Sequence, residues 1–124
     1  MITRNKARLV VKRYNQEEGI DYDETFAQLA RLEAVRLLLS FGRMRGFKLF
    51  QMDVKSAFLN GVINEEVYVS QPPSFEDHQH PKHVYKLKNA LYGLKQVPKQ
   101  WYERLSIFLL SNGYERGNID KTLY

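Results

Sequence analysis

Apolar residues recur at helical spacing in two stretches of this chain, about fifty residues apart. Short apolar runs punctuated by Gly, Pro and Asn-Gly fill most of the rest. In the first stretch, from Arg31 to Arg45, the repeat is carried by Ala34, Leu37, Leu38, Phe41 and Met44. Gly46 gives a stop signal, and Arg43 and Arg45 suit the carbonyl end of a helix dipole. In the second, Pro98 marks a helix start, and Trp101, Leu105, Phe108 and Leu109 form a stripe that runs to Asn112-Gly113. The chain reads as one unit of mixed α+β type.

Several strands are expected around these helices. Lys6 to Tyr14 alternates cations with Leu9, Val10 and Val11, and predicts a strand with a basic face. Asn15 to Phe26 is acidic, carries Gly19, and predicts a surface loop. Phe47 to Val54 predicts a strand, followed by an Asn-Gly turn at Asn60-Gly61. Val67 to Gln71 predicts a short strand stopped by Pro72-Pro73. His83 to Asn89 predicts its returning partner, across the polar loop SFEDHQHPKH. Thr122, Leu123 and Tyr124 end the chain as a strand-like piece.

Composition narrows the functional classes. The sequence has no cysteine, which excludes a disulfide framework and a cysteine-ligated zinc site and fits a reducing compartment. No apolar run reaches membrane-spanning length and no signal peptide is visible, so the expected setting is intracellular, cytoplasmic or nuclear, without a membrane partner. Nineteen Lys and Arg oppose fourteen acids, for a net charge of +5, and a basic balance favours polyanions through counterion release. His78, His80 and His83 sit near Glu76 and Asp77. Two histidines two apart in a loop broken by Pro81 lack the helical spacing of a metal pair, so a variable hairpin loop is the plainer reading.

Five strings, in order, resemble the reverse transcriptase of copia-type long-terminal-repeat retrotransposons: KARLVVKRYNQEEGIDYDETF, RLEAVRLLLSF, FQMDVKSAFLNGVINEEVYVSQPPSFE, VYKLKNALYGLKQVPKQWYE and LLSNGYERGNIDKTLY. The resemblance runs from Ile2 to Tyr124. Departures are KRYNQ, FAQL and VPKQW, where the family usually reads KGYTQ, FSPV and APRQW. The fold implied is part of a right-hand polymerase: fingers and palm over residues 1–124, ending before the catalytic hairpin. That hairpin carries an Asp-Asp doublet in the family, and no such doublet occurs here.

The resemblance also implies a site. Asp53 is similar to the first metal-binding carboxylate, with the Val54 carbonyl as a further ligand for Mg²⁺ or Mn²⁺; the local alternative is an aspartate that accepts backbone hydrogen bonds at a strand end. Phe58 resembles the steric gate against a ribose 2′-OH, although spacing alone makes it a core residue. Ser56 and Ala57 resemble the backbone platform beside the incoming sugar and triphosphate. Arg8 and Lys12 resemble the cations that touch the triphosphate; a solvated cationic face is their alternative. Gly93, Lys95 and Gln96 resemble the segment beside the template, against an ordinary turn before a helix. Trp101 and Tyr102 could pack or stack, with the core favoured for Trp101.

The activity implied is RNA-directed DNA synthesis on a primed RNA or DNA template from deoxynucleotides, with the remainder of a polyprotein as partner. The rival is a non-catalytic nucleic-acid-binding remnant or pseudogene product. A small metal-dependent nuclease is a weaker third reading, because no second acidic cluster has ligand spacing.

Overall fold

The computed structural model describes residues 5–124, so the start of the resemblance at Ile2 lies outside the described residues. Among these residues, two α-helices, two short 3-10 helices and a two-stranded antiparallel sheet make up the regular structure.

Helix α1 spans Leu32–Arg45 and ends as its sequence requires. Gly46 adopts φ 69° and its N–H reaches the Gly42 carbonyl, a left-handed cap that glycine takes without a Cβ penalty. Phe47 N–H also donates to that carbonyl (2.9 Å), and the chain doubles back on the helix. Leu49 then folds onto Gly42, the one buried position of α1. Phe47 meets Phe41 edge-on at 5.7 Å. The expected apolar stripe is otherwise open, with Leu37 70% and Met44 77% exposed.

Helix α2 spans Val97–Ser111, with Pro98 in its first turn, where a missing N–H costs nothing. Its C-terminus closes through Asn112, whose N–H and side-chain amide both donate to the Phe108 carbonyl, and through Gly113 at φ 84°. The buried positions are Val97, Gln100 and Ser106. Trp101, Leu105 and Leu109 are half-buried, and Phe108 is exposed. The inward face is therefore rotated from the expected stripe.

Strands β1 (Tyr68–Ser70) and β2 (Val84–Lys86) form the expected hairpin, with Tyr68 opposite Lys86 and Ser70 opposite Val84. Gln71 organises the intervening loop: its amide nitrogen donates to the His80 and His83 carbonyls, and its oxygen accepts from Asp77 N–H. Backbone pairing continues below the hairpin, from Leu87 N–H to the Val67 carbonyl and from Ala90 N–H to the Gly61 carbonyl (both 2.9 Å). The core gathers there. Ile63, Val67, Ala90, Leu94 and Val97 are buried, and Val11, Phe58, Leu87 and Leu91 pack around them.

Four expectations are corrected. Phe47 to Val54 forms no strand and pairs with none among the described residues, and Phe50 and Met52 are exposed; a ladder needs a neighbour, and periodicity does not supply one. Lys6 to Tyr14 makes a single parallel bridge, Val10 to Tyr92, and then turns into a 3-10 helix at Arg13–Asn15. Asn60-Gly61 is no hairpin turn: Gly61 has φ −68°, and the left-handed residue is Ser56, which opens a 3-10 turn over Ala57–Asn60. The final residues form no strand and instead loop around Asp120, whose carbonyl and carboxylate accept from Leu123 and Thr122.

Candidate functional site

An open cleft of about 610 Å³ lies between three pieces of chain: the opening segment from Asn5 to Leu9, the turn from Asp53 to Leu59, and Leu91-Tyr92. Six of the ten residues singled out from sequence line it: Arg8, Asp53, Val54, Ser56, Ala57 and Phe58. They come from segments more than forty residues apart and meet because of two backbone devices.

The first device is the turn after Asp53. Ser56 holds φ 56°, ψ 34°, a left-handed conformation uncommon for a residue with a side chain. Its carbonyl accepts from Leu59 N–H (3.0 Å) and from the Asn60 side-chain amide (3.1 Å). This tight loop turns Ala57 and Phe58 inward, where both are half-buried, and leaves Asp53 exposed on the lining of the cleft. Asp53 has no hydrogen bond or ion pair among the described residues. The reading of Asp53 as a local hydrogen-bond acceptor thus finds no bond to support it.

The second device is the crossing of the opening segment over Gly93. Val11 N–H donates to the Tyr92 carbonyl (2.7 Å). Gly93 lies directly beneath, at φ 100°; a Cβ there would stand 2.2 Å from the Val11 carbonyl oxygen. Only glycine lets the two backbones pass this closely. The crossing carries Arg8 into the cleft, where its guanidinium lies 5.5 Å from the centre of the Tyr92 ring. Lys12 falls beyond the crossing, exposed and outside the cleft.

Phe58 has both of its expected aspects. It packs on the core and also faces the cleft, with its ring 5.6 Å from that of Tyr92. Lys95 and Gln96 are engaged elsewhere. Lys95 Nζ donates to the Gln16 carbonyl (3.0 Å) and the Tyr22 hydroxyl (3.2 Å). Gln96 is fully buried; its oxygen accepts from Gln16 Nε2 (3.1 Å) and its nitrogen donates to the Asp21 carbonyl (3.2 Å). This network fastens the acidic loop to the start of α2.

Sequence reasoning missed Lys6, Lys55 and Tyr92, all of which line the cleft. Lys55 and Tyr92 sit inside strings already picked out, beside Asp53 and Gly93, and adjacency was the available signal. With Arg8 they make a wall of three cations and one aromatic ring around a single carboxylate. Shifted titrations lie away from it: hydrogen bonding and charge from Lys86 hold Glu66 below the usual carboxylate range, and Glu24 raises Lys99. As a metal centre the cleft is incomplete. It offers the Asp53 carboxylate, and among the described residues no three Asp, Glu or His side chains group together, whereas a hard divalent cation takes about six oxygen ligands. The arrangement suits a flat or aromatic body with an anionic tail.

Residues 1–124 match the family described as reverse transcriptase (RNA-dependent DNA polymerase). The chain is 43% identical to the retrovirus-related Pol polyprotein from transposon RE2 of Arabidopsis thaliana and 44% identical to that from transposon RE1. It is 42% identical to the corresponding polyprotein from transposon TNT 1-94 of Nicotiana tabacum. Each match covers 99% of this chain and 8–9% of the relative, so the chain spans under a tenth of the length of these polyproteins. No solved structure matches.

Proposed function

The chain belongs to the reverse transcriptase (RNA-dependent DNA polymerase) family, and from that premise we propose that its cleft is a deoxynucleoside triphosphate site in the fingers and palm of a retrotransposon polymerase. The observation that carries the proposal is the convergence of Arg8, Asp53, Val54, Ser56, Ala57 and Phe58 on one cavity. In this reading Arg8 grips the triphosphate, since a guanidinium fork matches phosphate oxygens two at a time. Ser56 and Ala57 supply backbone beside the sugar. Phe58 fills the space a 2′-hydroxyl would need. Asp53 is the first of the family's metal carboxylates, with Val54 offering its carbonyl. One carboxylate does not hold two divalent ions, so no step of nucleotidyl transfer is assigned to this chain alone.

The partners in this reading are a primed RNA or DNA template and the other parts of a Pol polyprotein, in the cytoplasm or nucleus. No helix among the described residues is long and apolar enough to cross a membrane. A second reading, a nucleic-acid-binding piece without catalysis, draws support from the cationic wall of Lys6, Arg8 and Lys55.

Equilibrium dialysis of the purified chain tests the site, with deoxythymidine triphosphate and deoxythymidine as probes. The triphosphate binds and the nucleoside does not, and Arg8→Ala weakens triphosphate binding about tenfold, as expected when a charged hydrogen-bonding partner is removed. Equal binding of nucleoside and triphosphate, or an Arg8→Ala variant that binds like the wild type, would refute the site.

A further inference from the structure

We propose that Tyr92 is a positioning residue that sets the Arg8 guanidinium and the Phe58 ring at a fixed separation, and thereby couples triphosphate binding to sugar selection. The inference rests on the reading of the cleft as a nucleotide site.

Tyr92 touches both groups with different parts of one ring and holds the intervening chain with its backbone. Its face lies 5.5 Å from the Arg8 guanidinium carbon, within the range where a ring quadrupole attracts a cation. A guanidinium held over the ring keeps its N–H donors for an anion, and the contact removes rotamer freedom that a long exposed side chain would otherwise lose on binding. The same ring stands 5.6 Å from Phe58 at an interplanar angle of 54°, inside the favourable range for tilted aromatic pairs. The Tyr92 carbonyl accepts from Val11 N–H at 2.7 Å, three residues beyond Arg8. Gly93 beneath the crossing has no room for even a methyl group, so the opening segment cannot slide relative to Tyr92 without breaking this contact. Cation and gate are thus referred to one residue.

The Tyr92 hydroxyl makes no hydrogen bond among the described residues, so the fold uses the ring and the backbone alone. Removing the ring while keeping the backbone frees Arg8 and lets the Phe58 ring turn. Triphosphate grip and sugar discrimination fall together, although Tyr92 belongs to neither group.

The test compares the wild-type chain with Tyr92→Phe, Tyr92→Leu and Tyr92→Met, the last filling similar space without a ring should leucine melt the protein. Dialysis uses deoxythymidine triphosphate, its ribonucleotide counterpart and inorganic tripolyphosphate. The wild type prefers the deoxynucleotide, and Tyr92→Phe matches it within about twofold. Loss of the ring weakens tripolyphosphate binding about fivefold, the scale of one cation–π contact, and brings the deoxy-to-ribo ratio towards one. A merely structural role would leave that ratio unchanged. Ring-deleted variants that keep both properties, or lose only one of them, overturn the proposal while the nucleotide site stands. A wild-type chain that binds no triphosphate, or binds both sugars alike, overturns it together with the reading of the cleft.

Discussion

At the scale of single residues, Gly93 and Gln96 show what distance along the chain hides. A glycine in LYGLKQ marks a turn in any sequence, but the reason for it lies eighty residues upstream, where Val11 crosses at a separation no Cβ survives. Gln96 looks like a surface residue at a helix start, yet it is buried because Gln16 and Asp21 arrive to pair its amide. Neither partner is adjacent in sequence, so neither fact was legible there. Asp53, Ser56 and Phe58 were easier, because the turn that brings them together is local. Gly93→Ala tests the crossing. An alanine forced to φ 100° costs about 1–3 kcal/mol in backbone strain alone, and the clash with Val11 adds to it. We expect a lower denaturant midpoint, measured by urea titration, together with loss of triphosphate binding as Arg8 moves out. A variant with wild-type stability and binding would mean that the crossing is not made in solution.

At the scale of elements, the sequence located what is set by near neighbours. Gly46 and Pro98 bound the two helices, and Pro72-Pro73 stops β1, because caps and breakers act within one turn of the chain. The expected strand at Phe47 to Val54 fails for the opposite reason, since its pairing partner would have to come from elsewhere. The C-terminal tail is a local device that the sequence disguised as a strand. Asp120 accepts from Thr122 N–H (2.9 Å) and Thr122 Oγ1 (2.7 Å), and these bonds hold its carboxyl below the usual carboxylate range. A depressed carboxyl contributes order that is complete above its unfolded pKa of about 3.9 and is lost as pH falls through the lower folded value. The tail therefore stays in place at neutral pH and loosens only in strong acid. The Thr122 amide resonance, followed by NMR from pH 7 to pH 2, should move with a midpoint below the ordinary aspartate value. Asp120→Asn should abolish that movement. A midpoint at or above the ordinary value would show that the carboxylate bonds are absent.

At the scale of the whole molecule, the core cluster among the described residues is small, five apolar side chains at the hairpin base and the start of α2, while α1 leaves Leu37, Leu38 and Met44 exposed. The net charge of +5 favours a nucleic-acid partner by counterion release, and that attraction needs no catalytic site. Phosphoryl transfer of the family type requires two metal ions to stabilise the attacking and leaving oxygens, and each ion needs several oxygen ligands. The cleft supplies the Asp53 carboxylate. The other acids do not complete the set: Glu66 is exposed and paired with Lys86, and Asp120 is engaged by Thr122. Neither lines the cleft. We expect the purified chain to bind a labelled primer–template, with affinity that falls steeply as salt rises, and to extend the primer not at all with Mg²⁺ or Mn²⁺. Asp53→Asn should not weaken binding, because it removes a negative charge from a cationic cleft. Fluorescence anisotropy and a primer-extension gel on the same samples read the two properties apart. Extension by the wild type that Asp53→Asn abolishes would overturn this expectation and show that a second carboxylate reaches the cleft, supplied by another copy of the chain.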